Sequence, residues 1–355
     1  MTEGDWPAEF RPVLRKLVAD GRQYFGADRV AVEPVRTLER PFSTLLQIRI
    51  APEAGRVTDA FVKILKPRAD TPAQIASMRQ NVVKDFEVTS RVQRGLSVYP
   101  GLMAVRPIAC FPEDLAIVTE RAQGTTLSDR LARGAVGWPR ARTMKGLSAT
   151  LRQIGAWLRA AQASFPQDGA IPRESIAAYL DKRLDELERS AFMRLTARGR
   201  GAIEAYRDRL FALVPAELNP VWIHADFCPE NIIIAPEGTV TVLDFTMAKS
   251  GTLYTDLAHL YLRLDAMKAK PWFRPPAIDR LRRELLDAFE PGLTDGRPLF
   301  ALMLLQHVIC HLVGLHEGES PLARVYNARL HRRHRAWLRA VAGVDEHGWR
   351  RSAGR

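Results

Sequence analysis

The sequence contains two short runs that decide the fold, His224-Ala225-Asp226-Phe227-Cys228-Pro229-Glu230-Asn231 and Val242-Leu243-Asp244-Phe245. The first run is followed directly by Ile232-Ile233-Ile234, which predicts an apolar strand. Pro236-Glu237-Gly238 then predicts a turn, and the residues from Thr239 to Leu243 predict a strand that returns along the first. This hairpin would bring Asp244 beside the polar turn that carries Asp226 and Asn231.

Asp226, Asn231 and Asp244 are the side chains that such a hairpin gathers. Phosphoryl transfer needs one carboxylate to accept a hydroxyl proton, and an amide oxygen with a second carboxylate to hold Mg²⁺. An Asp and an Asn five positions apart carry no weight alone, because both residues are common in polar turns. The joint pattern over about thirty residues indicates an active site for phosphoryl transfer. A single histidine is more often structural than catalytic, so we expect His224 to orient the turn.

The segment resembles the catalytic and metal-binding core of the aminoglycoside phosphotransferase (APH) family, the small-molecule kinase branch of the protein-kinase-like fold. The resemblance makes Asp226 the catalytic base, and Asn231 and Asp244 the magnesium ligands. Thr246 stands where protein kinases carry the Gly of their Asp-Phe-Gly motif, so the hinge behaviour of that motif is not expected. Asp256 ends the run Gly251-Thr252-Leu253-Tyr254-Thr255-Asp256, which is similar to a family segment whose Asp braces the catalytic loop.

The chain ahead of residue 224 must then supply the nucleotide site. Lys63 lies among apolar residues in a run with strand alternation, as the phosphate-holding lysine of a kinase-like lobe would, although a single strand lysine is usually a solvated edge residue. Thr71-Pro72 predicts the start of a long helix. Glu87 on that helix resembles the glutamate that pairs with the lysine. Asp85 is an alternative acid, which we expect to point elsewhere because it lies two positions away.

Two further parts of the nucleotide site are implied by the resemblance. Glu120 and Ala122 lie in a segment that looks like the interlobe hinge, where their backbone groups would meet the adenine edge. A loop from Arg36 to Thr44 is expected between strands near residues 30–35 and 45–50, and it contains no glycine. Ser43 and Thr44 could offer hydroxyl and N–H groups to phosphate there. An ordinary hairpin loop is an equal alternative.

These features predict an α+β protein with a two-lobed, protein-kinase-like fold. The first lobe, residues 1–121, would hold a small mixed β-sheet with one long helix and bind the nucleotide. The second lobe, residues 122–355, would be mainly helical and carry the catalytic hairpin and the acceptor site. The chain has 355 residues, of which 46% are hydrophobic, and is long enough to bury such cores. The apolar run from Leu299 to Leu315 is too interrupted for a membrane span and predicts a buried helix.

Charge bears on the acceptor. The formal net charge is +12, and residues 163–355 carry 27 basic and 24 acidic side chains. Enzymes that modify polycationic aminoglycosides are expected to have a surplus of acids in the lobe that binds the acceptor, and this chain has none. We therefore expect a neutral or anionic small-molecule hydroxyl acceptor, such as a sugar, a polyol, a phosphorylated metabolite or a glycolipid headgroup. An amino alcohol is also expected ahead of a polycationic aminoglycoside. ATP and Mg²⁺ are the expected cofactors.

The remaining features concern partners and compartment. Cys110, Cys228 and Cys310 form no metal-type spacing and suit a reducing cytoplasm. The basic amphipathic helix predicted over residues 320–342 is expected to be solvated, with contact to anionic lipid or nucleic acid as the lesser alternative. We expect no nucleic-acid partner. The alternative function is a catalytically silent, kinase-like scaffold that binds nucleotide.

Overall fold

The computed structural model describes residues 6–53, 55–67, 69, 71–316 and 318–351. The chain divides by its contacts into two compact units, Met1–Thr125 with Asn231–Ala248 and Thr126–Glu230 with Lys249–Arg355. Strands dominate the first unit and helices the second, which gives the predicted α+β class. The segment Asn231–Ala248, which contains the predicted hairpin, groups with the first unit, whereas the sequence placed it in the second lobe.

The helices are α1 (Arg11–Ala19), α2 (Gly21–Phe25), α3 (Pro72–Leu96), α4 (Leu127–Gly134), α5 (Ala141–Ser164), α6 (Arg173–Glu188), α7 (Ala197–Phe211), α8 (Thr255–Met267), α9 (Pro275–Phe289), α10 (Pro298–Gly314) and α11 (Pro321–Ala342). The strands are β1 (Val30–Arg40), β2 (Ser43–Pro52), β3 (Thr58–Leu65), β4 (Leu102–Ala104), β5 (Pro107–Phe111), β6 (Ala116–Glu120), β7 (Thr125–Thr126), β8 (Ile171–Pro172), β9 (Met193–Leu195), β10 (Glu217–Leu218), β11 (Pro220–Ile223), β12 (Ile232–Ile234), β13 (Val240–Val242), β14 (Lys249–Thr252) and β15 (Trp349–Arg351).

A five-stranded antiparallel sheet in the order β1-β2-β3-β6-β5 forms the body of the first unit. Alternate residues of β2, such as Ile48 and Ile50, turn one face of the sheet towards a buried core that includes Leu14 and Leu17 of α1. Helix α3 begins as predicted, because the Thr71 hydroxyl accepts the Gln74 N–H at 3.3 Å and Pro occupies the first turn.

The β1–β2 hairpin corrects the expected long loop over Arg36 to Thr44. The two strands stay paired up to Arg40 and Ser43, so only Pro41 and Phe42 form the turn. Thr, Leu and Arg side chains favour or tolerate an extended conformation, and pairs such as Thr37 with Leu46 continue the ladder. The segment is therefore a tight hairpin and not an extended polar loop.

A smaller sheet contains the predicted hairpin. β12 pairs antiparallel with β13, Ile232 opposite Val242, and β13 pairs in parallel with β4. All six residues of β12 and β13 are buried, which explains the continuous apolar run in the sequence. Gly124 lies against this hairpin with a φ of 118°, and a Cβ atom there would come within 2.2 Å of the Ile234 carbonyl oxygen.

The second unit is built around α8 and α10. Helix α10 covers the predicted apolar run, and nine of its residues are buried, including Phe300, Leu304 and Val308. Its apolar character on nearly all sides therefore reflects a central position in this unit. Within the described part of the chain, no helix is both long and apolar enough to cross a membrane.

Candidate active site

In the first unit, the carboxylate of Asp244 is held by two donors. Lys63 Nζ on β3 lies 3.0 Å from Asp244 Oδ2, and the Thr246 hydroxyl lies 3.0 Å from Asp244 Oδ1. Asp244 has a φ of 63°, in the left-handed region that only Gly adopts at little cost. A non-glycine residue in that conformation points to a side chain that must be aimed at a fixed place. The predicted lysine and the predicted second carboxylate thus form one ion pair.

Helix α3 contributes Asp85 to this cluster. The Thr246 hydroxyl lies 2.9 Å from Asp85 Oδ2, and the Thr89 hydroxyl lies 3.3 Å from Asp85 Oδ1. Burial raises the pKa of Asp85, the nearby Lys63 lowers it, and the Asp244 charge raises it further, with a net rise. Thr246 therefore connects the buried carboxylate to Asp244.

This arrangement corrects the assignment of acids on α3. Glu87 is exposed and the ion pair of Lys63 is formed with Asp244, whereas Asp85 is the buried acid of α3 whose charge Lys63 affects. A signal was present, because the buried residues Val82, Thr89 and Val92 define a helical face on which position 85 also falls. The hydroxyl of Thr246 was also missed, since that position was considered only as a replaced glycine.

Asn231 lies at the start of the hairpin that ends in Asp244. Its backbone carbonyl accepts the Leu243 N–H at 2.9 Å, which fixes Asn231 one residue from Asp244 across the two strands. The side chains of both residues carry oxygen atoms, and hard cations such as Mg²⁺ prefer oxygen ligands. Both side chains are therefore of the chemical type that could hold Mg²⁺.

In the second unit, Asp256 supports the turn that contains the predicted base. Its Oδ2 accepts the His224 N–H at 2.7 Å and its Oδ1 accepts the Ala225 N–H at 2.8 Å. Ala225 has a φ of 64°, so this turn is strained and needs such support. Burial raises the pKa of Asp256 to about 7, although the two N–H donors oppose the rise and the nearby Asp226 carboxylate adds to it.

His224 is fully buried under the same turn. Its Nδ1 atom accepts the N–H of Asp226 at 3.2 Å, so the imidazole carries its proton on Nε2 when neutral. The ring packs edge-on against Phe227, which in turn stacks on Trp157 of α5. This environment suits an orienting side chain that sets the direction of the Asp226 backbone.

The other predicted nucleotide contacts are placed as follows. Ser43 and Thr44 are buried at the start of β2, and the Thr44 hydroxyl lies 3.4 Å from Glu39 Oε2. A contact of Ser43 or Thr44 with phosphate stays a prediction. Glu120 ends β6, and its N–H donates to the Arg106 carbonyl at 2.8 Å. A contact of Glu120 or Ala122 with adenine stays a prediction.

Comparison with known structures identifies the class of fold. The choline kinase LicA from Streptococcus pneumoniae matches with a TM-score of 0.51 and 14% identity over 92% of this chain and 99% of its own. The ADP-bound aminoglycoside phosphotransferase APH(2'')-Ib matches with a TM-score of 0.53 and 14% identity, over 92% and 97%. A thermostable mutant of the aminoglycoside phosphotransferase APH(4)-Ia, in complex with AMP-PNP and hygromycin B, matches with a TM-score of 0.56 and 18% identity, over 93% and 99%. The protein therefore has the protein-kinase-like fold.

The sequence defines the family. Residues 57–299 match the model of the phosphotransferase enzyme family, APH, which covers more than half of the chain. No curated protein sequence matches the chain. The protein belongs to the APH phosphotransferase family, as the resemblance of its catalytic segment predicted.

Proposed function

We propose that the protein transfers the γ-phosphoryl group of ATP to a hydroxyl group of a small molecule. The main support is the Asp244 carboxylate, which is held by Lys63 and Thr246 in a strained backbone conformation. A surface ion pair would need neither the strained backbone nor the buried partner Asp85. Both features fit a carboxylate that is prepositioned for a ligand.

Each residue then has a distinct part in the reaction. Asp226 accepts the proton of the acceptor hydroxyl, and His224 and Asp256 hold the turn that aims it. Lys63 binds phosphate oxygens. Asn231 and Asp244 would hold Mg²⁺, which in such enzymes neutralises charge on the β- and γ-phosphate oxygens.

The acceptor is proposed to be neutral or anionic. Two of the structural neighbours are described as aminoglycoside phosphotransferases and one as a choline kinase, so the fold accommodates cationic acceptors in those proteins. The second unit of this chain lacks the acidic surplus that a polycation would favour. A sugar, a polyol or a glycolipid headgroup fits this charge better than a polycationic aminoglycoside does, and an amino alcohol, with one positive charge, is intermediate.

The test is ATP turnover against a panel of sugars, polyols, amino alcohols and aminoglycosides. We expect Mg²⁺-dependent transfer to at least one neutral or anionic acceptor, and a loss of about a thousandfold or more in Asp226→Ala. Asp168→Ala removes an exposed carboxylate on another loop of the same unit and is the matched control. Nucleotide binding with no transfer to any acceptor would favour the scaffold, and transfer to aminoglycosides alone would refute the proposed acceptor class.

A further inference from the structure

Two exposed tryptophans lie on neighbouring loops of the second unit. Trp138 precedes α5 and is 82% exposed, and Trp272 follows α8 and is 53% exposed. The Gly137 N–H donates to the Trp272 carbonyl at 2.9 Å, and Val136 forms an antiparallel bridge with the buried Phe273. The two loops are thus fixed to each other through their backbones. We call residues 136–140 and 270–274 the tryptophan surface.

The apolar character continues onto the first turns of α11. Lys270 Nζ lies 5.5 Å from the ring centre of Tyr326, which links this helix to the tryptophan surface. Leu322 and Val325 are 83% and 53% exposed. Leu322 lies three residues before Val325 and four before Tyr326, so it neighbours both side chains on the helix surface. Single exposed apolar side chains are common on protein surfaces, but several large ones in one region indicate an interaction site.

The three stretches of chain that form this region are basic in sequence, although one acid of the same unit lies close by. Burial raises the pKa of Tyr326, and Glu230 lies near enough to that phenol to contribute to the rise. Residues 133–145, 270–276 and 321–332 contain no Asp or Glu. Their basic residues are Arg133, Arg140, Arg142, Lys145, Lys270, Arg274, Arg324, Arg329 and Arg332. A partner for this surface is therefore anionic as well as partly apolar.

The geometry of Trp138 separates a lipid surface from a nucleic acid. The guanidinium group of Arg274 lies 4.1 Å from the centre of the Trp138 ring, so it covers one face of the indole. A single-stranded nucleic acid binds by stacking its bases on open aromatic faces, which this contact obstructs. An indole with an arginine against it can still enter a bilayer edge-on, with the ring among the acyl carbonyls and the guanidinium at the phosphates.

We propose that the tryptophan surface and the first turns of α11 bind the headgroup region of an anionic lipid bilayer. The protein would lie on the membrane surface, held by the two indoles and by the arginines around them. This inference does not depend on the proposed phosphotransferase activity, because none of its residues belongs to the candidate active site.

Co-sedimentation with lipid vesicles tests the proposal on the full chain. The probes are vesicles of phosphatidylcholine alone and vesicles of phosphatidylcholine with phosphatidylglycerol at about three to one. We expect binding to the anionic vesicles only, weakened about tenfold in the double variant Trp138→Ala/Trp272→Ala and similarly in Arg140→Glu/Arg142→Glu. Leu213→Ala, which removes another exposed apolar side chain of this unit, should bind as the unchanged protein does.

A second measurement avoids substitutions. Anionic vesicles with brominated acyl chains should quench the tryptophan fluorescence of the unchanged protein, because the indoles enter the bilayer. Absence of sedimentation, absence of quenching, or equal binding by the double tryptophan variant would overturn the proposal. Tighter binding of a single-stranded oligonucleotide, lost in the same variants, would also overturn it and identify a nucleic-acid surface.

Discussion

Replacement of Asp85 by alanine should weaken Mg²⁺-dependent nucleotide binding, whereas replacement of Glu87 should not. Both acids lie on α3, two residues apart, but only Asp85 is buried beside Lys63 and bonded to Thr246. The pair therefore compares the acid that the structure places in the cluster with the acid that the sequence pattern favoured.

The magnitude follows from the two hydrogen bonds of Asp85. The Thr246 hydroxyl has one proton for two carboxylates, so its 2.9 Å contact with Asp85 contributes about 1 kcal/mol, and the 3.3 Å contact with Thr89 contributes a similar amount or less. Relief of the buried charge offsets part of this loss. We expect Asp85→Ala to lower the free energy of unfolding by about 1–3 kcal/mol, and Glu87→Ala to change it by less than about 0.5 kcal/mol.

The assay is calorimetric titration of ADP with and without Mg²⁺, together with urea unfolding of each variant. Loss of Asp85 removes one of the two carboxylates that the Thr246 hydroxyl contacts and a negative charge near Lys63, so we expect Asp244 to be less well aimed. The affinity for ADP with Mg²⁺ should then fall about tenfold more than the affinity for ADP alone. A Glu87→Ala variant that loses the Mg²⁺-dependent part, beside an Asp85→Ala variant that keeps it, would refute this reasoning.

Two further predictions concern the second unit. Asp256→Asn places an amide N–H₂ against the N–H of His224 or Ala225. We therefore expect the free energy of unfolding, measured in urea, to fall by about 2–4 kcal/mol. An unchanged value would show that other contacts hold the turn. Burial lowers the pKa of His307 to about 4, below the usual 6.5, and its Nε2 lies 2.9 Å from the Thr255 carbonyl. Because the unfolded chain takes up a proton first as the pH falls, the contribution of neutral His307 to stability should be full above about pH 6.5 and smaller by about 2 kcal/mol at about pH 5. His307→Gln keeps a donor for Thr255 and cannot titrate, so its unfolding free energy should fall less between these pH values, and an equal fall in both proteins would contradict the assignment.

Sequence patterns anticipated the strands and the order of the chemical groups. The apolar run after Asn231 and the turn at Gly238 predicted the hairpin, and β12 and β13 confirm it. Lys63 lies on β3, in the run whose alternation predicted a strand. These features are local, because strand alternation and turn residues act over a few positions.

The choice between Asp85 and Glu87 was not made correctly, because it depends on the rotation of α3 against the sheet. The side chains of α3 that pack against the rest of the unit set this rotation, and a resemblance to the family at one position does not reveal it. The β1–β2 hairpin shows a related limit, since pairing across strands extended them through residues expected to form a loop. Cross-strand pairing is a non-local property that single-strand propensity does not contain.

The order of the two compact units along the chain limits which fragments of the protein can fold alone. The first unit is assembled from two separate stretches, since Asn231–Ala248 joins Met1–Thr125. A fragment that stops at residue 125 would lack β12 and β13, and would leave the backbone of β4 without its parallel neighbour. Such a fragment would expose an unpaired edge and apolar side chains, and is expected to aggregate. Production of the first unit alone would need residues 231–248 supplied in trans or fused through a linker.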